Sequence, residues 1–423
     1  MNTEKDTVQD KKFTSYQLLV VAILALLQFT IILDFQIIMP LGDVLMRELT
    51  IDTIQFGILI SCYAFGAGVM GILASTVADK FDRKKFLLFF CAGFIIGTLL
   101  CGLSNSYYTL LIARSITGLF GGVIASISMT IVSDLFALNQ RGRVMSYIQM
   151  AFSVSQVLGL PAGIYIANKW GWNMTFYTIV VLATIVVVAI TLLINPIAEH
   201  KNHQTSENLL RRSWRILSTK SYQTGLIFLT IVSISGAMVL PYSATFLINN
   251  IGVLQDELPL IYICTGIATI VILPMIGKLS DQIDKYKMFI VGSLFSSVIT
   301  LIFTQLSPIP LWSIIIINIL IFVGISSCSI PAMALITEVP KTQDRGSYMS
   351  LGESLQLMAN GIGAIVAGAI INQPSESMPL QHFEWLGYIV AVVSIVSVLL
   401  MRQINRRIRL IQKRSLHSII NVF

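Results

Sequence analysis

Two residues able to hold charge stand deep inside long apolar runs, Asp34 and Arg114. A charge at membrane depth costs at least a few kcal/mol unless it is paired or wetted. On the spans given below, Asp34 lies about six residues and Arg114 about seven from the same end of the helix bundle, so both sit roughly 10 Å below that surface. An acid and a base at matched depth predict a shared, partly hydrated cavity. There a carboxyl is pulled two ways, toward the ionised form by the guanidinium and toward the neutral form by desolvation. Such a group can exchange a proton for a substrate, with Arg114 tuning Asp34. The plainer alternative is an ion pair that only fixes the packing of the first and fourth helices.

A third acid, Glu353, heads a polar stripe with Gln356 and Asn360, spaced i, i+3, i+7 and so on one helical face. An intramembrane Glu is a candidate for transport or proton exchange. It lies about two turns from a helix end, however, where a side chain can reach water, and helix-to-helix hydrogen bonding is the alternative. Charges also gather in loops: Asp79, Arg83 and Asp134, with Asp281, Lys285 and Glu338 as a weaker mirror set. Arg83 can pair with Asp134, and Asp79 can sit at the positive end of a neighbouring helix, expected to be the eleventh. As loop charges they also set topology.

The sequence holds no GxxxxGK[ST] loop, which excludes ATP as the fuel. Its four His (His200, His203, His382, His417) fall outside every span, and no metal-ligand spacing or nucleophile–base pair occurs. No cofactor, no metal and no enzyme activity are expected. Five Cys lie in apolar runs and are read as packing, without a disulfide.

These residues need an apolar scaffold, and the composition supplies one. Of 423 residues 55% are hydrophobic and 12% charged, with a mean hydropathy of +0.80. That is about half the charge of a soluble protein, too little to cover one of this size, so most of the surface must face lipid. Apolar runs predict an all-α membrane protein with twelve transmembrane helices, near 17–40, 53–78, 86–104, 108–136, 144–167, 173–195, 222–248, 258–279, 286–304, 311–337, 346–371 and 383–401. Continuous rather than alternating runs exclude a β-barrel. The first run is too long for a cleaved signal.

With the N-terminus placed in the cytoplasm, 25 of the 28 Lys and Arg fall on the inner side, Arg47 and Lys169 outside, and Arg114 within a span. This satisfies the positive-inside rule and puts both termini in the cytoplasm of a bacterial cell membrane. The net charge of +7 is thereby assigned to the lipid bilayer, not to nucleic acid.

Two loops repeat. DKFD at 79–82 answers DQID at 281–284, and RGRVMS at 141–146 answers RGSYMS at 345–350. The chain therefore divides into a six-helix half (1–195), a cytoplasmic linker (196–221), a second six-helix half (222–401) and a basic tail (402–423). The halves are parallel repeats with the substrate path between them. In the linker Leu209, Leu210, Trp214 and Leu217 share a face, which predicts a helix lying on the membrane surface. Small residues at four-residue spacing (Ala64 and Gly68, Gly118 and Gly122) predict close helix contacts. Pro161, Pro241, Pro274 and Pro331 mark possible kinks. Tyr63, Phe35, Met39, Met150 and Tyr242 are candidates for an apolar cavity or for plain core.

Along nearly its whole length the chain resembles the major facilitator superfamily. STVADKFDRKK after the second span is similar to the family's loop signature, with Asp79, Arg83 and Lys84 at its charged positions, and with Ser75 and Asp82 where glycines are usual. GKLSDQIDK keeps Gly277 and Asp281; RSITGLFGG carries the embedded Arg114. GLPAG resembles the antiporter signature of helix five at Gly159, Pro161 and Gly163, with Leu160 in place of a glycine. LDFQIIMPL and WGWNMTF look like the drug:proton antiporter branch. The resemblance implies a transporter of a small molecule in exchange for protons, and a gate lock at Asp79, Arg83 and Asp134 that stabilises the outward-open state. The expected function is proton-coupled efflux of a small lipophilic compound, with a monomer as the working unit. A sugar or polar-metabolite exporter or facilitator is the first alternative. A non-transporting receptor or scaffold is the second, and it predicts loss of charges that are all present.

Overall fold

A computed structural model describes residues 13–75, 82–195, 209–341, 343–375 and 378–420. Among the described residues, twelve helices are long and apolar enough to cross a membrane. In order they are α1 (Ser15–Ile37), α2 (Thr53–Leu73), α3 (Arg83–Leu103), α4 (Tyr107–Leu135), α5 (Gln140–Trp170), α6 (Trp172–Leu193), α7 (Lys220–Ile251), α8 (Gln255–Gln282), α9 (Lys285–Thr304), α10 (Leu311–Ile336), α11 (Arg345–Ile370) and α12 (Phe383–Leu410). Each corresponds to an expected span. The clearest difference is at the C-terminus, where the last helix continues to Ile420, so the basic tail extends it. Arg and Lys are good helix formers, and the loss of hydropathy does not stop the backbone.

Helix starts follow the side chains available. Thr14 accepts from the Gln17 amide while Gln17 returns a bond to the Thr14 amide, a capping box. Asp82 caps α3 through the Lys85 amide, and Asp284 caps α9 through the Lys287 amide. These two caps occupy matching positions in the DKFD and DQID loops. Two spans are irregular, each beside a proline that was a kink candidate. Ser155–Gly159 forms a π turn just ahead of Pro161, whose missing N–H breaks the regular ladder. In α7, Leu240–Tyr242 is a 3₁₀ turn around Pro241 and Leu247–Ile251 is a π turn. Pro274 and Pro331 lie inside continuous α-helix.

Glycines set the seams. A Cβ on Gly118 would lie 2.3 Å from the Tyr63 carbonyl oxygen, and one on Gly122 2.5 Å from Ala67 Cα, so α4 and α2 touch backbone to backbone. The same intimacy joins the two halves. A Cβ on Gly57 would lie 2.6 Å from the Ala364 carbonyl oxygen of α11, and one on Gly266 of α8 would lie 2.8 Å from Val157 Cα of α5. Large apolar side chains line the outside, with Leu192 75% and Val291 67% exposed, as a lipid-facing belt requires.

The ends of the bundle differ. Arg83, Arg141, Arg345 and Arg402 mark one, here the basic end; Arg47 and Lys169 mark the far end. Residues 196–208 of the linker lie outside the described residues, but Leu209–Ser218 is a helix. Its Ile216 is fully buried in a core cluster with Phe289 of α9, Leu335 of α10, Tyr348 of α11 and Ile404 of α12. Trp214 is 72% exposed on the opposite side. The helix is therefore riveted to the second half as well as amphipathic. Asp79 lies outside the described residues.

Candidate functional site

The buried acid and base meet. Arg114 Nη1 donates to Asp34 Oδ2 at 2.9 Å and to the Asp34 carbonyl at 3.1 Å, and both side chains are 0% exposed. Thr98 of α3 donates its hydroxyl to Asp34 Oδ1 at 3.3 Å. Three helices, α1, α3 and α4, thus converge on one carboxylate. The guanidinium stacks over the Tyr63 ring at 4.5 Å, and Phe35 backs that ring with centroids 5.1 Å apart. Desolvating two charges costs several kcal/mol each, which the pair and the cation–π contact offset only in part. Arg114 Nε and Nη2 and the Tyr63 hydroxyl are buried without a hydrogen-bond partner. Unmet donors beside a carboxylate are ready to bind an oxygen atom that arrives later, such as that of a water or a substrate.

The glycines of helix five hold this turn of α1 in place. A Cβ on Gly159 would meet Leu33 at 2.9 Å, and one on Gly163 would meet Ile37 at 2.6 Å. Pro161 follows the π turn between them. The motif therefore lets α5 lie directly on the stretch of α1 that bears Asp34. Gln156 donates to Gln36 at 3.2 Å, two residues beyond Asp34. From Gln156 the path opens into a cavity of ≈ 220 Å³ between α5 of one half and α8 and α10 of the other.

At the basic end Arg83 Nε donates to Asp134 Oδ2 at 3.1 Å, as its sequence position suggested. Arg141 adds bonds to the Ser133 and Phe136 carbonyls at 2.6 and 3.0 Å, so α3 and α5 both grip the end of α4. Asp281 and Glu338 are exposed. Among the described residues of that second half, Asp284 and Asp344 form ion pairs. Asp284 accepts from Arg409 at 2.7 Å, and Asp344 accepts from Arg215 at 3.0 Å and from the Tyr222 hydroxyl at 3.0 Å, with Arg212 at 3.8 Å. Glu353 is exposed on α11, and Gln356 bonds back to the Gly352 carbonyl at 3.4 Å. No hydrogen bond among the described residues carries this stripe to Asp34.

Opposite, the far end is stitched across the halves. The Tyr242 hydroxyl of α7 lies 2.8 Å from the Thr53 carbonyl of α2 and 3.1 Å from that of Ala364. Thr53 Oγ1 reaches the Gly368 and Ile371 carbonyls, Asn249 donates to Asp43 at 2.6 Å, and Asn168 donates to the Gln255 carbonyl at 3.0 Å. Sequence reasoning named Tyr242 and Tyr63 only as cavity candidates and passed over Thr98, Gln36 and Asp344. Asp344 carried a signal, since it precedes the second RG loop where the first repeat has Gln140. Thr98 carried none, being one hydroxyl on an apolar helix.

Known proteins agree with this architecture. Across 82% of this chain and 86% of its own length, the uncharacterized MFS-type transporter YtbD of Bacillus subtilis is 25% identical. A probable sugar efflux transporter of Mannheimia succiniciproducens is 25% identical over 82% of this chain and 84% of its own. Multidrug resistance protein 3 of Bacillus subtilis is 37% identical over a shorter stretch, 24% of this chain and 20% of its own. In fold, a bacterial homolog of the human lysosomal transporter Spinster, solved inward-facing and unoccupied, superposes with a TM-score of 0.72 at 15% identity, over 93% of this chain and 99% of its own. The family model of the Major Facilitator Superfamily matches residues 24–325 and again 226–414. Matches that reach from α1 to α12 leave a single conclusion: this chain is a transporter, not an enzyme, and it belongs to the major facilitator superfamily.

Proposed function

We propose that the protein exports a small, largely apolar compound in exchange for protons, by alternating access between its two halves. One observation carries the reading. Asp34, fully buried, is held by Arg114 and Thr98 while two guanidinium nitrogens and the Tyr63 hydroxyl stay unpartnered beside it. A purely structural ion pair would have its donors met. A carboxylate whose partner has donors to spare can trade that partner for a proton when substrate or water competes for the guanidinium. In this cycle the basic end faces the cytoplasm, the stitched far end opens outward, and Asp34 is loaded from outside and emptied inside. Each proton then contributes about 1.4 kcal/mol per pH unit of gradient. The short stretch shared with a multidrug resistance protein supports a drug-like substrate.

The test uses proteoliposomes with a pH-sensitive dye in the lumen, an imposed proton gradient, and lipophilic cations, neutral drugs and sugars added singly. A compound is expected to release protons from the acid side, and Asp34→Asn, shown to be folded by gel filtration, is expected to abolish that release. Coupled transport surviving in Asp34→Asn would sink the proposal.

A second reading, facilitated movement of a sugar or other polar metabolite, draws on the sugar-efflux relative and on the hydroxyl side chains of the cavity between the halves. It predicts sugar equilibration with no proton movement.

A further inference from the structure

In the cavity between α5, α8 and α10, three hydroxyls on α8 and α10 are already turned away as donors. Thr265 donates its proton to the Ile261 carbonyl at 2.7 Å, Thr269 to that of Gly266 at 2.7 Å, and Ser326 to that of Phe322 at 2.7 Å. A hydroxyl has one proton and two lone pairs, so each of these now offers the cavity acceptors only. Gln156 spends one of its two amide protons on Gln36. The hydroxyls of Tyr262 and Ser153 can turn either way. Among the described residues, neither a cationic side chain nor a carboxylate lines the space. Phe152 and Phe322 supply its apolar walls.

We infer that this cavity is a binding site for a small, neutral molecule that donates hydrogen bonds through an O–H or N–H on an aromatic-sized apolar body, and that it rejects anions. The inference rests on the transport reading above and narrows its substrate class. An anion would meet lone pairs at Thr265, Thr269 and Ser326, with no cation among the lining residues to compensate. A cation would be buried without a counter-charge. A neutral donor meets acceptors whose own protons are already committed. At ≈ 220 Å³ the cavity is smaller than the roughly 300–1,000 Å³ of sites for drug-sized ligands, so the molecule is a ring system and little more.

Equilibrium dialysis of the purified full chain at neutral pH tests this with three matched probes: 2-naphthol, its methyl ether, and 2-naphthoate. The alcohol is expected to bind about fivefold to tenfold tighter than the ether, the worth of one net hydrogen bond, and the anion weakest. In Thr265→Val/Thr269→Val the alcohol should fall to the ether's affinity while the ether is unchanged. In Thr265→Ser/Thr269→Ser, which keeps both hydroxyls, the preference should survive and report that the fold is intact. Equal binding of alcohol and ether, tightest binding of the anion, an undiminished preference in the double valine variant, or no binding of any probe would each overturn the inference. Because no gradient is imposed, the result is independent of coupling. If proton exchange fails but the donor preference holds, only the function proposed above falls. If exchange works and the preference is missing, only this assignment falls.

Discussion

Asp34 and Arg114 bury opposite charges at one point, and each is tolerable only because of the other. Removing one partner of such a pair leaves an uncompensated charge and costs about 3–5 kcal/mol. Asp34→Asn and Arg114→Gln are therefore each expected to lower stability by about that amount in detergent, while the double variant recovers most of the loss. Thermal unfolding of the four proteins checks this as a cycle, and additive losses would show that the two side chains do not depend on each other. Their meeting was legible in the sequence because both charges interrupt apolar runs at the same depth, and charge inside lipid has few destinations. What surrounds them was not. Tyr63 and Thr98 are unremarkable along their own helices, and they become partners only once α2 and α3 are packed around α1 and α4. Glu353 shows the converse. Its sequence position offered an intramembrane acid close enough to a helix end to reach water, and its side chain is exposed, but depth along a helix did not say which face the neighbours leave open.

Among the elements, α5 does the most to hold Asp34 in position. Its sequence showed a proline between two glycines, read as a possible kink; the structure turns this into a π turn and a flat face against α1. Glycine positions elsewhere can be ranked by what lies opposite. At Gly118 the added methyl of alanine would sit 2.3 Å from the Tyr63 carbonyl, a backbone atom that cannot swing aside. At Gly142, also in α5, nothing lies within 4 Å. Gly118→Ala is expected to destabilise by about 2–4 kcal/mol through forced separation of α2 and α4, within the range of strained core substitutions. Gly142→Ala should be neutral or stabilising by up to about 1 kcal/mol through helix propensity. Parallel denaturation of the two alanine variants decides it; a tolerant Gly118 would mean that α2 can move relative to α4 at little cost. The linker helix was legible as amphipathic but not as docked, because Ile216 is one residue and the core cluster it joins includes residues far along the chain, such as Tyr348 and Ile404.

For the whole molecule, the balance between conformations depends on what holds the far end shut. Tyr242 is bonded to both halves through one hydroxyl, at Thr53 and at Ala364. Tyr242→Phe keeps the ring against Phe56, 5.6 Å away, and removes only the bond. It is expected to destabilise the far-end-closed state by about 1 kcal/mol, raising the open-to-closed ratio about fivefold. Spin-label distances across the far end would report the shift, and an unchanged distribution would mean that the glycine seams, not this hydroxyl, keep it closed.

The docking of Ile216 also bears on how the molecule could be taken apart. The internal symmetry suggests dividing the gene midway along the stretch between the sixth and seventh spans. But the helix Leu209–Ser218 completes the hydrophobic floor of the second half, and Arg215 reaches Asp344 at the head of α11. A fragment starting after this helix would carry an open apolar socket and an acid stripped of its arginines. Co-expressed fragments should therefore be cut ahead of Leu209, so that the second begins with its own lid in place.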